Sequence, residues 1–380
     1  MKTTKTSKRS IRFFIMLGCL FVGPLAVSQP PLAASQPKTG NDLLAVEKDG
    51  KSGFIDHSGK VVIPFQFDKA SGFHDGLALV ILKGKKYFID TAGRILFEAK
   101  YDLVKDFSEG VAAVNIGEKR LANIGLISDP GKWGYIDKTG KLVIPMKFTH
   151  AEEFSEGLAA IKDGDKGAFI DHDAKIVFEV PLDVTLGFRE GIAGVLYRGS
   201  LAYYDRTGKK ISPPIGYGPS SHSFSEGLVP VEINGKTGFM DRSGKLIIEP
   251  QFVQAEDFSE GLAAVRMHSE ETTWCPYDER GSRMGFTNKW GFIDKTGKMV
   301  IPPQYLTVDK FSEGLAAVNN CDEWFFIDKT GKKLVMGSFT FASSFFEGIS
   351  RVNIGKNRDQ KWGYIDRTGK WIWGPTQEGR

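Results

Sequence analysis

The sequence predicts an all-β repeat protein: a tandem array of about nine short antiparallel β-sheet units, each a three-strand or hairpin repeat. Two independent markers recur with a base period of 34 residues, which is the mark of a repeat architecture. One marker is Phe-Ser-Glu-Gly, whose glycine recurs eight times between Gly76 and Gly348. The other is an aspartate at the end of an apolar run, at Asp56, Asp90, Asp137, Asp171, Asp205, Asp241, Asp294, Asp328 and Asp366.

Each unit reads as three strands, as in the segment from Leu315 to Gly337, LAAVNNCDEWFFIDKTGKKLVMG. The apolar run Leu-Ala-Ala-Val is the first strand, and the aromatic Trp-Phe-Phe-Ile-Asp has the composition of a second. Asp-Lys-Thr-Gly then has the aspartate and glycine that a tight turn favours. The nine recurrent aspartates are therefore predicted to be structural turn residues, and Lys-Leu-Val-Met is the returning third strand.

The same second strand predicts how the units stack. In Lys-Trp-Gly-Tyr-Ile-Asp (132–137) the Trp and Tyr side chains alternate with Ile, so both faces of the sheet are apolar. A lone three-stranded unit could not bury both faces, whereas stacked neighbours could. Propellers usually have about four to eight blades, so nine units leave propeller-like stacking and an open curved solenoid as alternatives.

The N-terminal segment predicts export. Residues 1–28 combine five basic residues with an apolar run and a small-residue cleavage site before Gln29, as a signal peptide does. An uncleaved N-terminal anchor is the alternative, and membrane contact is expected only through this segment. Residues 29–41 then form a flexible linker, 42–374 the repeat domain and 375–380 a C-terminal tail. The predicted location is periplasmic, cell-surface or extracellular.

Charge argues against nucleic acid as a partner. The chain has 50 Lys and Arg against 46 Asp and Glu, but residues 1–28 hold five of the bases and no acid. The remaining chain has 45 bases and 46 acids, a formal charge of −1. No net positive field is left to attract nucleic acid.

Catalytic and metal motifs are missing from the sequence. The six histidines have no ligand spacing with another His or Cys, and neither a phosphate loop nor a Gly-x-Ser-x-Gly motif occurs. We therefore expect no enzyme activity, no cofactor and no metal site.

Two long insertions fall at equivalent positions, after Val114 and after Val265, between the first and second strands of their units. Equivalent positions lie on one rim of a repeat array, and long loops on a rigid scaffold often carry recognition. Cys275 in the second insertion and Cys321 in the next unit are the two cysteines left after cleavage, which predicts a disulfide in an oxidising compartment. Trp274, Tyr277 and Phe286 are not needed by the repeat and are candidate partner-binding residues.

The repeated unit, KWGYIDKTGKLVIP followed by FSEGLAAV, resembles the WG-repeat (KWG-type) family of bacterial proteins. The resemblance covers about residues 43–374, although Trp-Gly itself is intact only at Trp133-Gly134, Trp290-Gly291 and Trp362-Gly363. It implies a β-rich repeat module without an established general activity, often in exported or envelope-associated proteins. The functional hypothesis is an exported non-enzymatic scaffold that binds another protein; the alternative is a module that binds envelope polysaccharide through the rim aromatic residues.

Overall fold

All regular structure in the described part of the chain is β-strand. The computed structural model describes residues 43–120, 127–211, 222–275, 285–321, 323–355 and 361–374. Their strands form nine antiparallel sheets, each built from strands that are consecutive in sequence. The predicted signal peptide (1–28), linker (29–41) and C-terminal tail (375–380) lie outside the described residues.

We number the sheets as blades 1 to 9 and call the strands of a four-stranded blade a, b, c and d in chain order. Blade 1 has strands b to d only, and blades 2 and 3 have all four. Blade 1 comprises β1 (Leu44–Lys48), β2 (Lys51–Ile55) and β3 (Val61–Phe67); blade 2 comprises β4 (Lys69–His74), β5 (Leu77–Leu82), β6 (Lys85–Asp90) and β7 (Ile95–Glu98); blade 3 comprises β8 (Leu103–Val104), β9 (Val111–Arg120), β10 (Ile127–Asp137) and β11 (Leu142–Phe148).

Blades 4 and 5 have four strands, and blade 6 has strands b to d. Blade 4 comprises β12 (His150–Ala151), β13 (Ala159–Asp163), β14 (Lys166–Ile170) and β15 (Ile176–Val180); blade 5 comprises β16 (Val184–Arg189), β17 (Ile192–Tyr197), β18 (Ser200–Asp205) and β19 (Lys210–Ile211); blade 6 comprises β20 (Leu228–Ile233), β21 (Lys236–Asp241) and β22 (Leu246–Phe252).

The last three blades have four strands each. Blade 7 comprises β23 (Gln254–Ala255), β24 (Leu262–Trp274), β25 (Gly285–Asp294) and β26 (Met299–Tyr305); blade 8 comprises β27 (Thr307–Val308), β28 (Leu315–Asn320), β29 (Glu323–Asp328) and β30 (Lys333–Phe339); blade 9 comprises β31 (Phe341–Ala342), β32 (Ile349–Ile354), β33 (Lys361–Asp366) and β34 (Trp371–Trp373).

Strand a is a feature that the sequence pattern did not predict. The sequence predicted three strands per unit, and strand a is a fourth, formed by the segment before Phe-Ser-Glu-Gly. In seven blades it pairs with strand b, as Ala151 does with Ile161 in blade 4. Strand a has as few as two residues, and so short an element has no alternation for a sequence pattern to reveal.

The core lies between blades rather than within them. Among the described residues, eight apolar clusters each join two consecutive blades, from blades 1 and 2 through to blades 8 and 9. Strand c serves both neighbours: Tyr135 of blade 3 packs toward blade 4, and Ile136 packs toward blade 2. The predicted stacking of units on both faces is confirmed. Each of the eight clusters also buries one phenylalanine of the Phe-Ser-Glu-Gly marker or its variants: Phe73, Phe107, Phe154, Phe188, Phe224, Phe258, Phe311 and Phe345.

The first and last blades meet, so the array closes. Phe65 of blade 1 stacks on Trp373 of blade 9 with ring centroids 5.5 Å apart, and His57 Nε2 lies 3.4 Å from Glu347 Oε2. The fold is a nine-bladed β-propeller, and the open solenoid that the sequence left as an alternative is excluded. We call the junction of blade 9 with blade 1 the seam.

The Trp-Gly glycine and the Ile-Pro proline belong to one local feature. In blade 3 the pairing of β10 with β11 shifts register on both sides of Tyr135, and the first shift spans Gly134. A Cβ at Gly134 would lie 2.5 Å from the carbonyl oxygen of Ile144. Pro145 follows in the bulge, where a strand at the sheet edge tolerates proline. Blade 4 has Ala168 instead of the glycine and no proline in β15, and its register shifts only once. The glycine therefore lets strand c approach the bulge of strand d.

Candidate functional site

Two b–c connections are much longer than the others. Strands b and c have 10 and 11 residues in blade 3 and 13 and 10 in blade 7, against five each in blade 4. Because both connections join equivalent strands of similarly oriented blades, they project from the same side of the ring, which we call the hairpin face. The two blades are four positions apart, so the hairpins rise from well-separated parts of that face.

Trp274 is the most exposed aromatic residue described on the blade 7 hairpin. It lies at the end of β24 and is 53% exposed. Its register partner is Gly285, where a Cβ would lie 2.9 Å from the indole ring, so the ring rests against the backbone of its own hairpin. Phe286 pairs with Thr273 and is half-buried. Tyr277, the third predicted partner-binding residue, lies outside the described residues.

A disulfide ties the blade 7 hairpin to blade 8. Cys275 directly follows β24, Cys321 lies in the b–c turn of blade 8, and their sulfur atoms are 2.12 Å apart. The φ of Cys321 is +61°, in the left-handed region where blade 6 has Asn234 followed by Gly235. Cysteine has no preference for that region, so the turn carries a conformational cost at the residue that provides the sulfur. The link fixes the end of the hairpin to the neighbouring blade.

The nine recurrent aspartates lie on the opposite side of the ring, in the c–d turns. The Oδ1 of Asp137 accepts hydrogen bonds from the backbone N–H of Thr139 and Lys141 at 2.9 and 3.1 Å and from the Thr139 hydroxyl at 2.6 Å. These bonds, the hydroxyl foremost, hold the pKa of Asp137 below its usual range. The backbone N–H groups two and four residues on make the same bonds to Asp56, Asp90, Asp171, Asp205, Asp241, Asp294, Asp328 and Asp366.

The glutamate of Phe-Ser-Glu-Gly has a role that sequence reasoning missed. Glu190 of blade 5 accepts hydrogen bonds from the backbone N–H of Glu226 and Gly227 of blade 6, at 2.6 and 2.8 Å, and from Arg242 at 2.6 Å. Although partial burial acts to raise the pKa of Glu190, Arg242 and the two amides hold it below its usual range. We call this unit the interblade clasp.

The clasp recurs around the ring. At six further interfaces the carboxylate contacts the Lys, Arg or His that follows the next blade's turn aspartate, at 2.9–3.7 Å: Asp75 with Lys138, Glu109 with His172, Glu156 with Arg206, Glu226 with Lys295, Glu260 with Lys329, and Glu347 with His57 at the seam. Between blades 8 and 9, Glu313 accepts from the Gly348 N–H, and Arg367 donates to the Glu313 carbonyl oxygen. The sequence held a signal: eight of the nine turn aspartates are followed by Lys, Arg or His. The exception is Thr91, and the position equivalent to the glutamate in the preceding unit is Asn41.

Charged residues within and just before the Phe-Ser-Glu-Gly marker line the centre of the ring. Arg189 Nη1 of blade 5 lies 3.7 Å from Asp257 Oδ2 of blade 7, a contact between blades that are not neighbours. Strand a and the segment after it therefore face the ring axis. His222 Nδ1 lies 2.9 Å from Asp257 Oδ1; burial acts to lower the pKa of His222, but this hydrogen bond raises it above the usual value. Burial, with Asp257 and Asp309 nearby, raises the pKa of Glu256.

A polar cleft of about 340 Å³ opens at the same axial rim between blades 3, 4 and 5. Glu152 and Glu153 lie in its wall together with Thr185. Burial acts to raise the pKa of Glu152, but its bonds to His150 and Lys105 hold it below the usual range, whereas burial raises the pKa of Glu153. The cleft thus places an ionised carboxylate beside one that is more readily protonated.

No group of His, Cys, Asp and Glu within the described ranges is arranged to hold a metal ion. The same ranges contain no helix with the length and hydropathy needed to cross a membrane.

The closed ring of sequential β-sheets defines the class of protein: a repeat propeller. Seven segments match the family model described as a WG containing repeat: 53–87, 88–119, 133–166, 202–236, 238–269, 290–320 and 324–357. Together they cover more than half of the chain, so the protein belongs to the WG-repeat family. No curated protein matches the sequence.

Solved structures resemble the chain at low identity. A crystal structure of a eukaryotic initiation factor is 13% identical with a TM-score of 0.60, over 87% of this chain and 94% of that chain. Hsv2p of Kluyveromyces lactis is 9% identical (TM-score 0.38; 70% and 96% covered), and AztD of Citrobacter koseri is 13% identical (TM-score 0.37; 89% and 95% covered). The first likeness is one of fold alone, and the other two are too distant to support any inference.

Proposed function

We propose that this WG-repeat propeller is an exported, non-enzymatic scaffold that binds another protein at the cell envelope through its hairpin face. The observation that carries the proposal is the projection of two enlarged hairpins, in blades 3 and 7, from the same side of a closed ring. Recognition residues are commonly placed on long loops held by a rigid scaffold. Neither extension serves the stacking of blades, since blade 4 stacks with strands of half the length.

The chemistry of both hairpins suits a protein partner. Each described hairpin presents a large apolar residue to solvent, Ile116 (49% exposed) in blade 3 and Trp274 in blade 7. Aromatic anchors such as tryptophan dominate the binding energy of many interfaces, and exposed apolar surface often marks a contact. The disulfide between Cys275 and Cys321 holds the blade 7 hairpin in place before binding, which lowers the entropic cost of association.

Export is supported by two separate features. Residues 1–28 have the basic, apolar and small-residue order of a signal peptide. The paired cysteines suit an oxidising compartment, because disulfides seldom persist in a reducing one.

The test is in-cell crosslinking of the tagged protein, followed by mass spectrometry of what it captures. Met267 and Lys289 are register partners at the base of the blade 7 hairpin. Replacing residues 268–288 by Asn-Gly therefore leaves a two-residue turn like that of other blades, with Cys321→Ser removing the unpaired thiol. We expect this variant to fold and to lose the main partner.

A matched control shortens the other hairpin. Ile116 and Lys132 are register partners in blade 3, so Asn-Gly replaces residues 117–131, and Ile116→Ser removes the exposed apolar residue that remains. Loss of capture in either shortened variant assigns the contact to that hairpin. Unchanged capture of the partner by both variants contradicts the proposal.

Binding of envelope polysaccharide is the second candidate, favoured by the flat, exposed ring of Trp274. Stacking of a sugar on this ring predicts retention on protein-free envelope polysaccharide and its loss in Trp274→Ala. Lack of retention on every such matrix would remove this candidate.

A further inference from the structure

Among the described residues, the seam differs from the other eight blade interfaces because no phenylalanine is inserted there. The other eight interfaces each bury one, between 0% and 4% exposed. Each is supplied by the segment that precedes strand b of the following blade. At the seam that segment would precede β1, and no described residue lies on the free edge of β1. None of the eight apolar clusters among the described residues joins blade 9 to blade 1.

Blade 9 exposes aromatic residues where the missing segment would pack. Trp362 is 43% exposed, whereas the equivalent Trp133 and Trp290 are 6% and 8% exposed. The difference has a structural cause: Trp133 is covered by His150 of the next blade's strand a, at 6.0 Å between ring centroids. Phe341 covers Trp324 of blade 8 in the same way, at 5.5 Å.

The turn end of the seam shows the same difference. In four blades the serine of Phe-Ser-Glu-Gly donates to the carbonyl oxygen of the next blade's inserted phenylalanine, as Ser155 does to Phe188 at 2.6 Å. In blade 9 this serine is replaced by Phe346, which is 67% exposed. Trp362 and Phe346 thus mark the two ends of one apolar slot between blades 9 and 1.

The free edge of β1 has the acceptors that a further strand requires. In blade 4 the carbonyl groups of Ala160 and Lys162 accept from the backbone N–H of Glu152 and Thr149, the residues that flank strand a. Register with strand c makes Ala45 and Glu47 the equivalent residues of blade 1. The slot therefore combines strand-pairing groups with an apolar wall.

The chain's own upstream sequence does not match the slot. When the units are aligned by sequence, Thr39 is equivalent to the inserted phenylalanine and Ser35 is equivalent to His150. Pro37 is equivalent in sequence to Glu152, and proline has no N–H with which to make the bond that Glu152 donates to the Ala160 carbonyl. The sequence that would complete an ordinary blade is thus absent from the place where the repeat would have it.

We propose that the seam binds an extended segment of a partner protein, which adds to the free edge of β1 as its strand a and inserts a phenylalanine between blades 9 and 1. Strand addition to an exposed edge is an established mode of peptide recognition, in which main-chain bonds give affinity and pockets for alternate side chains give specificity. All eight native interfaces insert a phenylalanine, and where the preceding blade presents Trp133 or Trp324 the residue four positions before it is His150 or Phe341. Because blade 9 presents Trp362, the ligand that matches the seam has an aromatic residue or histidine, three further residues and then phenylalanine. This surface is separate from the hairpins of the proposed function and does not depend on them.

The test uses the chain from Gln29 to Arg380 and a labelled synthetic peptide with the sequence of residues 149–157, THAEEFSEG, taken from blade 4. Fluorescence anisotropy should show saturable binding of one peptide per chain. Replacing the peptide's phenylalanine by alanine should weaken binding about tenfold or more, as expected for a buried aromatic anchor. Trp362→Ala and Phe346→Ala in the protein should weaken it similarly, whereas Trp274→Ala on the hairpin should leave it unchanged.

Hydrogen exchange locates the bound peptide, which should slow exchange in β1 and blade 9. No saturable binding, or equal binding of the alanine peptide, overturns the proposal. Binding seen only with a chain that begins at Leu43 would show that upstream residues fill the slot, and dissociation of a dimer by the peptide would show that a second copy fills it. Either result also overturns a foreign partner.

Discussion

Lys329 Nζ in blade 8 lies 3.1 Å from Glu260 Oε2 in blade 7, and this carboxylate also accepts from the Gly314 N–H at 2.9 Å. The bonds cross an interface whose apolar cluster already holds the blades face to face. They fix the relative height of neighbouring blades, because a hydrogen bond is directional while apolar contact is not. Repeated from blade 2 round to blade 1, the clasps give a rigid base from which the hairpins project.

The clasp predicts a loss of stability on neutralising one carboxylate. Glu190→Gln removes the charge that binds Arg242 and the second acceptor oxygen for two backbone N–H groups. We expect the free energy of unfolding to fall by about 1–2 kcal/mol, as for other hydrogen bonds to a charged group. The measurement is urea unfolding followed by circular dichroism. Glu232→Gln, an exposed position on β20, is the control and should change little; equal midpoints for the two variants would contradict the clasp.

The pH dependence of stability follows from the same carboxylates. Among the described residues, twelve Asp and Glu have a pKa below the usual value and two have a raised pKa. The twelve lowered groups therefore decide whether stability rises or falls with pH in the acidic range. A lowered folded-state pKa gives stability that is present above the unfolded value, about 4, and is lost as pH falls through the folded value. The thermal midpoint should therefore decrease steadily below about pH 4.5.

Asparagine at Asp137, Asp241 and Asp294 should make this decrease shallower, because those carboxylates no longer titrate. A midpoint that stays level or rises down to pH 3.5 would refute the assignment.

The contribution of His222, whose pKa is raised, has the opposite sign: it is present below the ordinary histidine value of about 6.5 and lost as pH rises through the folded value.

The repeating part of the fold was predictable from the sequence because each unit contains its own turn residues and strand pattern. The aspartate at the position of Asp137 and the aromatic residue at the position of Tyr135 recur in most units. Their roles follow from the chemistry of tight turns and from the alternation of side chains along a strand. Closure was not predictable, since the stacking of Phe65 on Trp373 joins residues whose contact no repeat spacing encodes. The clasp was missed because each of its halves also makes sense as a surface charge.

The candidate sites were predictable only where they interrupt the repeat. Trp274 and Phe286 were predicted as partner-binding residues because they belong to an insertion that the stacking of blades does not need. The seam was not predictable, because its exposed surface depends on which side chains of the neighbouring blade cover Trp362. A sequence pattern identifies the residue but not what covers it. The axial charges occupy positions that vary from unit to unit, so no marker singled them out.

The disulfide predicts that reduction destabilises the protein. In the chain beginning at Gln29, Cys275 and Cys321 are the only cysteines and are separated by 46 residues. Loss of a crosslink over such a loop costs about 2–4 kcal/mol in the chain-entropy account. Dithiothreitol should lower the thermal midpoint of the wild type and leave the Cys275→Ser, Cys321→Ser double variant unchanged. Alkylation of both thiols without reductant would show that the bond does not form in the protein as made.

The Trp-Gly glycine predicts a difference between blades that look alike. In Gly134→Ala the new Cβ would lie 2.5 Å from the Ile144 carbonyl oxygen and close to the backbone of Pro145, so strand d must shift or the bulge must open. We expect a loss of about 1–3 kcal/mol, the usual range for forcing atoms into a packed site. Blade 4 already has Ala168 opposite a strand d without this bulge, so Ala168→Gly should cost no more than about 1 kcal/mol, from backbone entropy and a lost methyl group. Urea unfolding of both variants tests whether the glycine is required only where strand d has the bulge. A Gly134→Ala protein as stable as the wild type would mean that the glycine is not needed for strand d to approach strand c.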